Sequence, residues 1–162
     1  MLRVEDVMRT QFYSIDPRDT VFAAAQQLLL RNVESLLVVD DDGRLRGIVT
    51  ERDVLLAVLP RTADVMGDET HLAGFRDLSE MATERFRETV AEVMHPSVET
   101  VTPSAPLTHA LGRMLSRRLR RLAVVDPESR EVVGVVSQRD ALSALVIGQP
   151  ALIRQARGRV HA

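Results

Sequence analysis

The chain has 162 residues, 45% of them hydrophobic and 27% charged, which is enough to bury the core of one ordinary domain or two very small ones. It has no Cys, so disulfides, thiolate metal sites and a Cys nucleophile are excluded. A net charge of −2 gives no global attraction to nucleic acid or anionic membrane, and one Tyr, four Phe and no Trp leave almost nothing on which to stack bases. All 21 basic residues are Arg, so every cation is a planar donor fork rather than an ammonium point charge.

The opening residues carry acids where a signal peptide needs an apolar run, and the longest apolar stretches, near Val21–Leu30 and Ala141–Ile147, are too short to span a bilayer. The expected location is cytoplasmic. A short β stretch at Phe12–Ile15 comes first, and Pro17 turns the chain. Val21, Ala24, Ala25, Leu28 and Leu29 then follow at helical spacing. A continuous apolar strand, Leu36–Val39, leads through Asp40-Asp41-Asp42-Gly43 to a third strand, Leu45–Val49, and a helix begins after Thr50. The acidic turn lacks the remaining ligands and closing Glu of a calcium loop, so it reads as a hairpin.

The same order then recurs. Val7-Met8 returns as Val93-Met94, Pro17 as Pro103, and Val38-Val39-Asp40 as Val124-Val125-Asp126, each displaced by 86 residues. Gly47-Ile48-Val49-Thr50-Glu51-Arg52-Asp53 returns as Gly134-Val135-Val136-Ser137-Gln138-Arg139-Asp140, displaced by 87, so the second turn holds one extra residue. The second set of elements is Val98–Val101, the helical series Leu107, Ala110, Leu111, Met114 and Leu115, then strands Leu122–Val125 and Val132–Val136. Apolar runs without alternation predict sheets covered on both faces, as in α/β packing. The expected organisation is a first repeat at 1–60, a helical connector at 61–88, a second repeat at 89–147 and a basic tail at 148–162 carrying Arg154, Arg157 and Arg159. A single repeat of roughly 55 residues buries little surface, which favours a pseudo-twofold pair packed sheet to sheet.

The strand-to-helix corner carries the chemistry. Thr50 and Ser137 fall where a strand ends and a helix starts, with Asp53 and Asp140 three residues on. That spacing is a helix cap. It also offers free N–H groups for a phosphate and a carboxylate for paired ribose hydroxyls. His71, His95, His109 and His161 are scattered without metal-ligand spacing, and no metal site is expected. No nucleophile, acid or base constellation is visible, so no enzymatic activity is expected.

With Ser14-Ile15-Asp16-Pro17, Thr100-Val101-Thr102-Pro103, Leu36–Asp40 and Leu122–Asp126 added, these motifs resemble a tandem pair of CBS domains, or Bateman module. The resemblance implies two β-α-β-β-α repeats and clefts for an adenine nucleotide (AMP, ADP or ATP) or S-adenosylmethionine, with no cofactor required. It implicates Asp53 and Asp140 at ribose and Thr50 and Ser137 near ribose and phosphate. Ser14, Ile15 and Val33 in one repeat, and Thr100, Val101 and Leu119 in the other, would meet the base. Relatives often carry a basic pair before the second strand; here Arg120 and Arg121 occupy that place, whereas the first repeat has Glu34 and Ser35. Leu37 and Ala123 stand where the family often has Pro. Unequal clefts are therefore expected, with anionic nucleotides favoured beside the Arg pair. The resemblance further implies a homodimer and, as no residues remain for an output domain, regulation of a separate partner in trans. A ligand-independent interaction scaffold is the alternative; nucleic acid binding through Arg117–Arg121 is not favoured.

Overall fold

The structure is a computed structural model that describes residues 1–59 and 78–149. It divides into two compact units, Tyr13–Val98 and Met1–Phe12 with Glu99–Ala162. The elements follow the predicted order: β1 (Ser14–Ile15), α1 (Val21–Arg31), β2 (Ser35–Val39), β3 (Leu45–Thr50), α2 (Glu51–Val58), α3 (Leu78–Arg85), α4 (Val90–Val93), β4 (Thr100–Val101), α5 (Leu107–Ser116), β5 (Arg121–Val125), β6 (Val132–Ser137) and α6 (Gln138–Ile147). The expected first strands, Phe12–Ile15 and Val98–Val101, shrink to two residues each. The connector is helical at Leu78–Arg85, while its earlier part and the Arg-bearing tail from residue 150 lie outside the described residues.

In the unit formed by Tyr13–Val98, the sheet order is β1-β2-β3, parallel then antiparallel. Thr20 caps α1 by accepting the Ala23 N–H at 3.1 Å, and Asn32 ends it in the left-handed region. The β2–β3 hairpin turns at Gly43, whose φ is 75°. Asp40 organises that turn by accepting the N–H groups of Asp42 and Arg44. Val21, Ala24 and Leu28 of α1 pack on Leu36, Val38 and Val49 of the sheet. The other unit repeats this plan with order β4-β5-β6 and a core of Leu107, Ala110, Met114, Leu122, Val124 and Val136. Its hairpin accommodates the extra residue by placing Arg130 at φ 67°. The helical stripes are narrower than the spacing predicts: Leu29 and Leu115, each the residue directly after a buried one (Leu28 and Met114), face outward.

The units differ from the expected repeat boundary at the chain's start. Met1–Phe12 packs with the second repeat, and the matching segment before β4 packs with the first. Val4, in a 3₁₀ turn at Val4–Asp6, is wholly buried among Val101, Leu107 and Val124. Val90 of α4 is wholly buried among Ile15, Val21 and Leu36. Each segment ends as an arm along the free edge of a sheet. Arg9 and Val135 exchange two backbone hydrogen bonds of 2.9 Å, as do His95 and Ile48. These bridges cover edges that would otherwise present unpaired backbone.

Candidate functional site

Within each unit, one end of the sheet gathers the motif. Strand register sets Ser35 opposite Thr50 and Arg121 opposite Ser137. Because β1 runs parallel to β2, the residues leading into Ser14 arrive at this same end; those leading into Thr100 arrive likewise beside β5. The loops before β2 and β5 close on the corners, where Glu34 O accepts Glu51 N–H at 3.1 Å and Arg120 O accepts Gln138 N–H at 3.0 Å. Thr50, Asp53 and Val33 are thus brought to one end of one unit, and Ser137, Asp140, Leu119, Arg120 and Arg121 to one end of the other, while Ser14 and Thr100 stand beside Leu37 and Ala123 at the middle of the central strands.

The corners form as capping boxes. Asp53 Oδ2 accepts the Thr50 N–H and the Thr50 hydroxyl, both at 2.8 Å, and the Asp53 N–H donates back to Thr50 Oγ1 at 3.2 Å. Asp140 Oδ2 accepts the Ser137 N–H at 3.0 Å and its hydroxyl at 2.6 Å, and the Asp140 N–H donates to Ser137 Oγ at 3.1 Å. The side chains are 5% and 8% exposed, and the cap leaves Oδ1 of each carboxylate for other partners. Burial acts to raise the pKa of Asp140, and the Ser137 hydroxyl, the Arg9 guanidinium and the Ser137 N–H outweigh it, holding the carboxyl below its ordinary value.

Each Oδ1 meets a nitrogen donor from the edge arm, which spacing alone does not reveal. Arg9 Nε donates to Asp140 Oδ1 at 2.7 Å, and His95 Nε2 lies 2.8 Å from Asp53 Oδ1. Arg9 and His95 occupy equivalent places, each directly after a Val-Met pair. The motif glycines explain how the arms come so close. A Cβ on Gly134 would stand 2.6 Å from Arg9 O, and one on Gly47 would stand 2.6 Å from His95 O. The signal was in the sequence, as a basic side chain repeated after Val-Met, but only the fold shows which carboxylate each one reaches.

The residues expected at the base divide in two. Ile15 and Val101 are buried in their cores, so only their backbones are available to a ligand. Ser14 is exposed and Thr100 half-buried; Val33 and Leu119 lean against the cores. Some backbone groups are already engaged. Gln138 Nε2 donates to Leu119 O at 2.8 Å, and Arg113 Nη1 donates to Thr100 O at 2.8 Å. Glu51 stands at the Gln138 position in the first repeat and has no amide to donate, a second difference between the corners. Arg117, one of the basic run, is tied to Glu99 at 2.9 Å. Arg121 is exposed at the start of β5.

Two grooves lie at the opposite, turn end of the sheets. One of about 300 Å³ is lined by Thr102, His109, Arg113, Asp126 and Arg130 and reaches Thr100 and Val101, two of the residues expected at the base, and one of about 410 Å³ is lined by Asp16, Arg18, Asp40, Asp41, Asp42 and Arg46. In the second, Arg18 bridges Asp16 and Asp41 and Arg46 pairs with Asp40, and with Asp42 also in the lining the groove is net acidic. Among the described residues no group of three or more His, Asp or Glu side chains is placed to hold a metal, and no helix is long and apolar enough to cross a membrane.

A family model for the CBS domain matches residues 4–60 and 90–147. The CBS domain-containing protein YhcV of Bacillus subtilis is 29% identical over 140 residues, covering 86% of this chain and 83% of its own. The solved CBS domain pair of protein MJ0100, in complex with 5′-methylthioadenosine and S-adenosyl-L-methionine, has a TM-score of 0.64 and 26% identity, covering 92% of this chain and 98% of that one. CBSX2 of Arabidopsis thaliana, in complex with AMP, has a TM-score of 0.70 at 24% identity over 92% and 99% of the two chains, a likeness of fold.

Proposed function

The chain belongs to the CBS-domain family, and on that premise we propose that it is a regulatory module whose motif corners seat the adenosine part of a small ligand. The observation that carries this reading is the pair of capped carboxylates, each with one oxygen taken by its cap and the other left outside it, at the equivalent end of each sheet. Asp53 and Asp140 would receive ribose hydroxyls, with Thr50 and Ser137 beside them. The base would lie against the backbone of Ser14–Ile15 with Val33, or of Thr100–Val101 with Leu119. The ligands of MJ0100 are both adenosine derivatives, which supports this class. AMP, ADP, ATP and S-adenosylmethionine are the candidates. Arg120 and Arg121 favour the polyphosphates in the second repeat, and Glu34 disfavours them in the first. No group in either corner calls for a cofactor.

The test is the melting temperature of the purified chain with millimolar AMP, ATP or S-adenosylmethionine. Ligand at about 100 times its Kd adds roughly 2.7 kcal/mol, or about 5–10 °C for a chain of this size. The rise should vanish in the Asp53→Asn/Asp140→Asn double variant. No rise with any adenosine ligand at millimolar level would refute the reading.

A ligand-independent scaffold is the second reading, favoured by apolar residues at Leu142, Leu145, Val146 and Ile147 of α6 and Leu55 and Leu56 of α2 that are exposed in the single chain. The same faces support a homodimer in either case, and action on a separate cytoplasmic protein is part of the proposal. Light scattering checks the dimer: a clean 18.0 kDa species would refute it.

A further inference from the structure

We propose that Arg9 and His95 are built-in competitors for the ligand's ribose, one permanent and one set by pH; this rests on the adenosine reading above. A carboxylate offers roughly four acceptor positions, two on each oxygen. In both corners Oδ2 already accepts two bonds from its capping residue, and Oδ1 accepts one from the arm. A ribose diol that donates both hydroxyls needs two positions, and one remains. Bidentate seating therefore releases the arm's side chain.

The arms are arranged for that release. Their backbones are pinned to the sheet edge by the paired 2.9 Å bonds and by the glycine contacts, so they stay in place. The side chains of Arg9 and His95 are 66% and 67% exposed and can swing into water. Because that side chain meets the oxygen a ligand needs, it sets the affinity of the corner without belonging to the repeat's own motif.

The two side chains differ in kind. A guanidinium keeps its charge at every physiological pH. An imidazole gains or loses its proton between about pH 5 and 8, and the protonated form binds a carboxylate more strongly. The charged groups on the elements packed against His95 are Asp53, Glu51 and Arg52 of α2 and Arg46 of β3. Asp53 contacts the ring, Arg46 is held by Asp40 at 2.6 Å, and Glu51 and Arg52 are exposed. On its own segment, Glu92 is engaged with Thr89. Acidification therefore tightens the His95 latch on Asp53 and weakens ligand there, while the Arg9 latch on Asp140 stays constant.

The probe is 5′-methylthioadenosine, which has no phosphate for a freed Arg9 to grip, titrated calorimetrically into the full chain. In an Asp53→Asn background that isolates the Asp140 corner, Arg9→Ala should tighten binding about three- to tenfold, a charge-assisted bond discounted for exposure. In an Asp140→Asn background, binding should tighten about threefold or more from pH 6 to pH 8, and His95→Gln should abolish that dependence. Affinity unchanged or weakened by Arg9→Ala, or a pH dependence that survives His95→Gln, overturns the inference while leaving the adenosine reading intact. Absence of binding by the unaltered chain, or binding that survives Asp53→Asn/Asp140→Asn, overturns both. The pH series on unsubstituted His95 needs no arm variant, so misfolding of one cannot shield the idea.

Discussion

Gly134→Ala isolates the contact that fixes the arm of Met1–Phe12 to its sheet. The new Cβ would meet Arg9 O at 2.6 Å and Met8 Sδ at 3.2 Å. The sulfur can move, but the oxygen is backbone, held by its own hydrogen bond from the Val135 N–H at 2.9 Å. The arm must lift off the edge, which costs the two Arg9–Val135 bonds at about 1 kcal/mol each and loosens the packing of Met8. Against this stands a gain of about 0.4–1 kcal/mol that alanine brings by restricting the unfolded chain. The net expectation is a loss of about 2 kcal/mol, or roughly 4–8 °C in Tm. Gly112→Ala is the matched control. It lies exposed within α5, where an added Cβ would meet nothing within 4 Å, so alanine should stabilise by up to about 1 kcal/mol. Urea titration and thermal melting of both variants read the difference. A Gly134→Ala chain within 0.5 kcal/mol of its parent (~1–2 °C) would refute the close-approach account.

Ser137→Ala removes the cap of α6 and should cost about 1 kcal/mol in urea unfolding, with Thr50→Ala costing a similar amount at α2. The Asp140 carboxyl has a folded pKa below its unfolded value, so its stabilisation is complete above about pH 4 and is lost as pH falls through the lower folded value. The difference in stability between the parent and Arg9→Ala should accordingly be present at pH 6 and close on acidification below pH 4, followed by denaturant melts across that range. Arg121→Glu should weaken ATP binding about tenfold and adenosine binding less than twofold, measured by calorimetry, since only the phosphates meet the guanidinium. Equal weakening of both would remove Arg121 from the phosphate region.

The corners show where sequence and structure part. Thr50-x-x-Asp53 and Ser137-x-x-Asp140 were legible as caps because a cap is local: residue type and a spacing of three suffice. The same holds for the hairpin at Asp40–Gly43 and the buried stripe of Val21, Ala24 and Leu28. Arg9 and His95 were not legible as site residues, because Arg9 lies 131 positions from the Asp140 it contacts. Leu29 and Leu115 fit the helical spacing yet face outward, because periodicity gives the direction of an apolar face but not the width of surface available to cover it.

By itself, the sequence determined the duplication, the order of elements, the two cores and the caps that hold Asp53 and Asp140. Each of these follows from short-range patterns of polarity and backbone preference. The tertiary structure alone decided that Met1–Phe12 joins the second repeat and that the segment before β4 joins the first. Val4 and Val90 begin nearly equivalent arms, and either would satisfy a glycine-lined edge. Hydrogen-bonding and burial patterns state that an arm must be covered, while chain geometry selects which edge covers it, and that choice sets a guanidinium on one carboxylate and an imidazole on the other.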